Sequence, residues 1–138
     1  MKRFLAPMFI LISILFIMGM GEMGGAVPPD KIPTPEKNFA VRVTDREGVQ
    51  TSLDQFSLEG RVSLAGKRGS ATVGIPFEKI SQLQIQSVEG NDVQVKVSLR
   101  TRESLDIKME KKAKLYGKAD FGSFQIEVKD LKTVNFLP

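Results

Sequence analysis

The chain has 138 residues, about 41% of them hydrophobic, and a formal net charge of +4. It contains no histidine and no cysteine. This excludes imidazole-assisted nucleophilic catalysis and the zinc sites that need imidazole or thiolate ligands. Because acidic and basic residues are interleaved along the chain, the basic excess indicates a soluble surface and argues against nucleic-acid binding.

The first 26 residues have the three-part organisation of a secretory signal peptide. Lys2 and Arg3 precede an apolar run at 4–20, and small residues follow at 24–26. We therefore predict a helical signal segment, cleavage after Ala26, and a periplasmic or secreted mature protein. The alternative is an uncleaved anchor, because the 17-residue run is close to the shortest helix that spans a bilayer.

A proline-rich linker follows the signal at residues 27–37, which contain four of the seven prolines. Proline fixes φ and lacks an amide donor, so this segment cannot enter the interior of a sheet. We predict an extended, mobile spacer that connects the signal to a domain at 38–138.

From residue 38 onward, apolar and polar residues alternate, with turn residues every 8–12 positions. The clearest run is Val93, Val95, Val97 and Leu99. No window shows the 3.6-residue period of an amphipathic helix. The pattern predicts an all-β fold, an antiparallel small barrel or sandwich with one face of its strands buried.

The pattern also repeats at an offset of 51 residues,. Residues 75–85 align with 126–136, and in both segments the period changes from two to three for a single turn. We interpret each segment as a strand, one tight helical turn and a second strand. In this interpretation Ile80 and Leu131 anchor the two turns in the core.

The alignment predicts two β-meander repeats, at about 39–88 and 92–137. Their upstream strands align only loosely, and matching Gly69 with Gly122 requires a two-residue gap. The sequence leaves open whether the repeats close one barrel or pair as two modules.

The second repeat ends in the pattern Phe-Gly-x-Phe-x-Ile-x-Val-x-x-Leu-x-x-Val-x-Phe at 121–136. This pattern resembles small repeated β modules of uncharacterised exported bacterial proteins, with the best match at 115–136 and a looser one over 39–136. The resemblance implies a compact barrel-like or sandwich-like module of the bacterial envelope. It carries no activity with it.

A dense group of lysines is the main candidate for a binding site. Its ammonium groups have the chemistry to contact anionic lipid, phosphates of a surface polymer or an acidic protein patch. The simpler interpretation is an edge strand or hairpin tip on which lysines prevent strand addition by another molecule. The group consists of Lys108, Lys111, Lys112, Lys114 and Lys118.

Two other motifs favour structural interpretations. The Gly-Lys-Arg-Gly segment at 66–69 lies between two alternating segments and predicts a hairpin turn rather than a phosphate-binding loop,. Tyr116, Phe121 and Phe124 are candidates for an aromatic platform, but Phe124 shares a strand face with later apolar residues and is assigned to the core.

The sequence therefore predicts a non-catalytic exported envelope module that binds a protein or a surface polymer. The carboxylates are interpreted as solvated strand edges and cross-strand ion pairs. We expect no enzyme activity, cofactor, metal site or nucleic-acid partner, and the oligomeric state stays open. The alternative function is a membrane-peripheral or N-terminally anchored accessory protein that contacts anionic lipid through the lysines of residues 108–118.

Overall fold

Ten antiparallel strands form one sheet that curves into a half-barrel. The computed structural model describes residues 32–138, so the predicted signal peptide and the first part of the linker lie outside the described residues. The all-β prediction is confirmed. Within this range no helix is long and apolar enough to cross a bilayer. The strands are β1 (Val41–Asp45), β2 (Gln50–Leu58), β3 (Ser63–Arg68), β4 (Ala71–Pro76), β5 (Ile80–Glu89), β6 (Asp92–Leu99), β7 (Ser104–Glu110), β8 (Lys114–Ala119), β9 (Gly122–Glu127) and β10 (Leu131–Phe136).

The strand order across the sheet is β4-β3-β7-β6-β5-β10-β1-β2-β8-β9. Five connections join neighbouring strands, whereas at four connections the chain moves to another part of the sheet. The sheet is therefore not a continuous meander. The β3–β4 hairpin lies beside β7, and the β8–β9 hairpin lies beside β2. Strands of the two predicted repeats are thus interleaved within one sheet, and neither repeat forms a separate module.

Alternating side chains place one face of the sheet in a common core, as the period of two predicts. On β6, for example, Val93, Val95 and Val97 are fully buried, whereas Gln94 and Lys96 between them are not. Similar alternation on the other inner strands produces a single hydrophobic cluster. The largest fully buried side chains include Phe56, Leu58, Leu64, Phe77, Ile80, Ile107, Leu115 and Leu131.

Each predicted helical turn is present as one turn of 3₁₀ helix. The first spans Phe77–Lys79 and the second spans Val128–Asp130. The residues that follow them, Ile80 and Leu131, are buried in the core, which confirms the predicted anchoring. The Phe77 amide donates to the Val62 carbonyl at 3.0 Å, and the Val128 amide donates to the Ala113 carbonyl at 2.9 Å.

The same strand layout occurs twice along the chain. The β3–β4 hairpin at 63–76 and the β8–β9 hairpin at 114–127 begin and end 51 residues apart, with a two-residue loop in each. The expectation of a two-residue gap is therefore wrong. Because the offset also holds for both 3₁₀ turns, the correspondence extends from the third strand of each repeat to the last.

The central strands relate the two layouts by an approximate two-fold axis. Leu83 of β5 lies opposite Val134 of β10, and their neighbours pair symmetrically: Gln84 with Thr133, and Gln82 with Asn135. The Gln82 side-chain amide donates to Oδ1 of Asn135 at 2.9 Å. The axis passes between the two central residues, so β1 and β2 on one side correspond to β6 and β7 on the other.

The described part of the linker packs against the domain. We expected a mobile spacer, but Pro35 is buried and the Pro33 ring lies about 3.1 Å from the position that a Cβ on Gly60 would occupy. The Lys37 ammonium lies 3.4 Å from the Glu78 carboxylate. The linker from residue 32 onward therefore lies against the corner between β2 and β3.

Candidate binding surfaces

A groove of about 1070 Å³ lies where the ends of β2, β3 and β7 meet the start of β8. Leu58, Met109 and Tyr116 supply apolar surface to it. Its charged lining comprises five basic and three acidic side chains, so the groove has a formal charge of +2. These are Arg61, Lys67, Lys108, Lys112 and Lys114, with Glu59, Asp92 and Glu110.

The structure brings together only some of the lysines that the sequence singles out. Lys108, Lys112 and Lys114 line the groove, whereas Lys111 and Lys118 are not part of its lining. Lys118 lies on β8, directly opposite Asp54 of β2. The five lysines therefore do not form one continuous surface.

Two basic groove residues were not among the predicted site residues. Lys67 reaches the groove because β3 pairs with β7, which places it opposite Lys108 although 41 residues separate the two in sequence. Arg61 lies in the tight turn that follows β2, where an isolated β-bridge with Leu58 holds its backbone beside the groove. The only local signal was the hairpin motif at 66–69, which contains Lys67.

The lysines do not occupy the positions that edge protection requires. Lys108 lies on β7, and Lys114 and Lys118 lie on β8, and both strands have neighbours on each side. The edges of the sheet are β4 and β9. Neither edge strand contains a lysine. The interpretation is therefore wrong in placing the lysines on an edge strand, whereas Lys111 and Lys112 do lie in a turn, between β7 and β8.

Strand β9 is an open edge with an exposed aromatic side chain beside it. The strand contains no charged residue before Glu127 at its end. Phe121, in the loop that precedes β9, is 75% exposed and is the most exposed large hydrophobic residue of the described chain. The other edge, β4, has no charged residue either, but it contains Gly74 and ends in Pro76, which has no amide to offer a new strand.

The three candidate aromatic residues do not form a platform. Phe124 packs against the core on the inner face of β9, as predicted. Tyr116 is only 2% exposed and lies on the opposite face of the sheet, across from Ser57 of β2. Of the three rings only Phe121 is largely exposed, so the three side chains do not share one surface.

The wall of the groove around Tyr116 is strained and poor in polar partners. Glu59 has a φ of 52°, in the left-handed region that side chains other than glycine rarely adopt. Its carboxylate accepts a hydrogen bond from the Lys114 amide at 2.6 Å. Burial raises the pKa of the Tyr116 phenol above its usual value of 10.0, and the nearby Glu59 carboxylate adds to this shift. The buried Ser57 hydroxyl has no hydrogen-bond partner within the described chain.

No arrangement of ligands for a metal ion is found within residues 32–138, where no three acidic side chains come close enough together to form one. The ion pairs of this range are peripheral: Lys37 with Glu78, and Lys129 with both Glu127 and Asp130. Pairs of this kind at the surface contribute about 0–1 kcal/mol to stability.

A family model described as "Uncharacterised protein" matches residues 35–137. The chain belongs to this family. No curated protein matches the chain. The family match begins at Pro35, the buried proline of the linker, and therefore includes Pro35 and Lys37 but not Pro33.

Proposed function

We propose that this protein is a non-catalytic, exported envelope module that binds a partner protein by adding an extended segment of that partner to strand β9. The observation that carries the proposal is the open β9 edge with Phe121 exposed beside it. Export is proposed from the three-part pattern of residues 1–26,. A non-catalytic role is proposed from the lack of histidine and cysteine.

The chemistry of the β9 edge supports strand addition. An edge strand presents unpaired amide and carbonyl groups along one side, and proteins usually protect such an edge with charges, proline or a bulge. Between Gly122 and Ile126 none of these protections is present. In β-strand addition the backbone hydrogen bonds supply affinity and side-chain contacts supply specificity.

Phe121 is placed to supply such a contact. Large aromatic side chains contribute strongly to interface energies when a partner buries them. A 75% exposed phenylalanine at the start of an open edge has little to pack against in the free protein. A bound strand that extends past Gly122 would pair with β9 and at the same time cover the ring of Phe121.

In-cell photocrosslinking tests the proposal. A photoreactive phenylalanine analogue at Gln125 of β9 should form adducts with one partner protein, whereas the same analogue at Gln84 of β5 should not. Both glutamines are exposed, but Gln84 is paired on both sides, with Thr133 of β10 and with Lys96 of β6. Adducts that are equal at both positions, or absent from both, would contradict strand addition at β9.

A matched pair of substitutions makes the test independent of the crosslinker. Gln125→Lys adds an edge charge and should abolish recovery of that partner, whereas Gln84→Lys, on an inner strand, should not. Analytical ultracentrifugation of the purified protein shows whether the partner is a second copy of this chain. Membrane contact through the lysines of residues 108–118, the alternative function, is tested by the vesicle measurement described below.

A further inference from the structure

The approximate two-fold axis divides the sheet into a first half, β3 to β7, and a second half, β1, β2 and β8 to β10. The charges at one cross-strand position differ between these halves. In the first half Lys67 of β3 lies directly opposite Lys108 of β7. At the corresponding position of the second half, Lys118 of β8 lies directly opposite Asp54 of β2. Opposite charges at facing positions stabilise a sheet and like charges destabilise it. The facing charges are therefore of opposite sign in one half and of like sign in the other, although Lys118 and Asp54 do not form an ion pair within the described residues.

Gly66 and Gly117, which precede Lys67 and Lys118 in sequence, show that the two charge pairs occupy corresponding positions. A Cβ on Gly66 would lie 2.8 Å from the carbonyl oxygen of Lys108. A Cβ on Gly117 would lie 3.3 Å from the carbonyl oxygen of Asp54. Each glycine thus lets its strand approach the neighbouring strand at the same place, so the different charge pairs occupy equivalent backbone sites.

The repulsion between the two lysines is not offset by a nearby carboxylate. No ion pair of the described residues involves either side chain. Their other cross-strand neighbours are neutral, since Thr72 lies opposite Lys67 and Gln94 lies opposite Lys108. Within the described residues, the two facing ammonium groups therefore have no carboxylate partner and can contact an external anion.

The acidic residues of the groove do not neutralise this pair. Glu59 accepts a hydrogen bond from a backbone amide. Asp92 and Glu110 lie opposite each other, two residues further along the strands than Lys108, which corresponds to about 7 Å. Positive and negative pairs are thus separated along the groove, and Arg61, Lys112 and Lys114 add further positive charge.

We propose that the groove binds a phosphate-bearing anion that bridges the ammonium groups of Lys67 and Lys108. Lysine is an effective phosphate ligand because it supplies a compact point charge with three donors. The phosphate group is the shared chemistry of two sources, a soluble phosphorylated polymer and a phospholipid headgroup. This site is separate from the β9 edge of the proposed function.

Binding is measured on the mature chain with two probes. The first is inorganic pyrophosphate, titrated calorimetrically at low and high salt. The second is a set of vesicles with or without phosphatidylglycerol, used in flotation. Because Tyr116 is the only tyrosine and there is no tryptophan, its fluorescence provides a second readout from the groove wall. We expect one binding site whose affinity falls as salt rises.

The equivalent lysine of the other half supplies a matched control. Lys67→Glu places a carboxylate opposite Lys108, so we expect at least a tenfold loss of binding together with a higher urea midpoint. Lys118→Glu changes the net charge equally but places a carboxylate opposite Asp54. We expect it to leave binding unchanged and to lower the urea midpoint.

The two probes distinguish the source of the phosphate. Binding of pyrophosphate without vesicle binding supports a soluble ligand, and flotation that Lys67→Glu abolishes supports a lipid headgroup. The proposal is overturned if neither probe binds at low salt, or if the two variants weaken binding equally, which would indicate diffuse electrostatic attraction. Neither result bears on Gln125→Lys, so this site and the β9 interface succeed or fail separately.

Discussion

The two 3₁₀ turns occupy equivalent places in the backbone layout but contribute different side chains to the core. At the first turn, the ring of Phe77 packs against those of Phe39, Phe56 and Phe136, with centroid separations of 5.1–5.6 Å. The equivalent residue of the second turn is Val128, an aliphatic side chain that is also buried. The layout therefore accommodates either an aromatic or an aliphatic side chain at this position.

The largest difference is expected when the two equivalent core positions are truncated. Phe77→Ala should reduce the free energy of unfolding by about 3–5 kcal/mol, because it removes the centre of the aromatic cluster. Val128→Ala removes only two methyl groups and should cost clearly less. Urea denaturation of both variants measures the difference, and equal losses would contradict the view that the first turn is held more strongly than the second by its aromatic contacts.

Smaller effects are expected where the halves are most alike. Gly66→Ala and Gly117→Ala should each destabilise the protein by about 1–3 kcal/mol through overpacking. Gly66→Ala should cost more, because its Cβ would meet a backbone oxygen at 2.8 Å, whereas the nearest atoms to Gly117 are in the Leu53 side chain at 3.0 Å. Thermal unfolding compares the two, and a larger loss at Gly117 would show that the Leu53 side chain cannot adjust.

The smallest effect concerns Tyr116, which has no tyrosine counterpart in the first half. Its pKa is raised by burial and by Glu59, so the folded protein holds the phenolic proton more tightly than the unfolded chain. The resulting stability is present below pH 10 and is lost as the pH rises through the folded-state pKa. Absorbance at 295 nm should titrate above pH 10.0, the usual tyrosine value.

Tyr116→Phe provides the control for this pH dependence. The variant should lose less stability than the wild type between pH 10 and the folded-state pKa, because it has no phenol to ionise. A tyrosine titration at or below pH 10.0 would show that the ring is hydrated and that the groove wall opens in solution.

Local features of the fold were predictable from the sequence. The alternation at 93–99 and the change of period at 77–80 depend on neighbouring residues, so they predicted a strand and a 3₁₀ turn that the structure contains. The gap in the repeat was predicted wrongly because Gly69 and Gly122 were aligned with each other. Gly69 lies within its loop, with a φ of 61°, whereas Gly122 is the first residue of β9, with a φ of 134°.

Strand order and the groove were not predictable, because both depend on pairing between distant segments. Nothing near Lys67 indicates that β3 will lie beside β7 rather than beside β2. The lysines of residues 108–118 were visible as a sequence cluster, but strand direction and the corner at 111–113 divide them between different surfaces. Only Lys108, Lys112 and Lys114 line the same groove as Lys67.

The position of β10 has a consequence for the timing of folding. This strand follows the other nine described strands in sequence, yet it lies in the middle of the sheet and joins β5 to β1, pairing Val41 with Phe136. Sheets that depend on such distant pairs form slowly, since a long loop must close first. A nascent chain cannot complete its core until β10 has emerged from the ribosome, so β5 and β1 each lack one neighbour until that point.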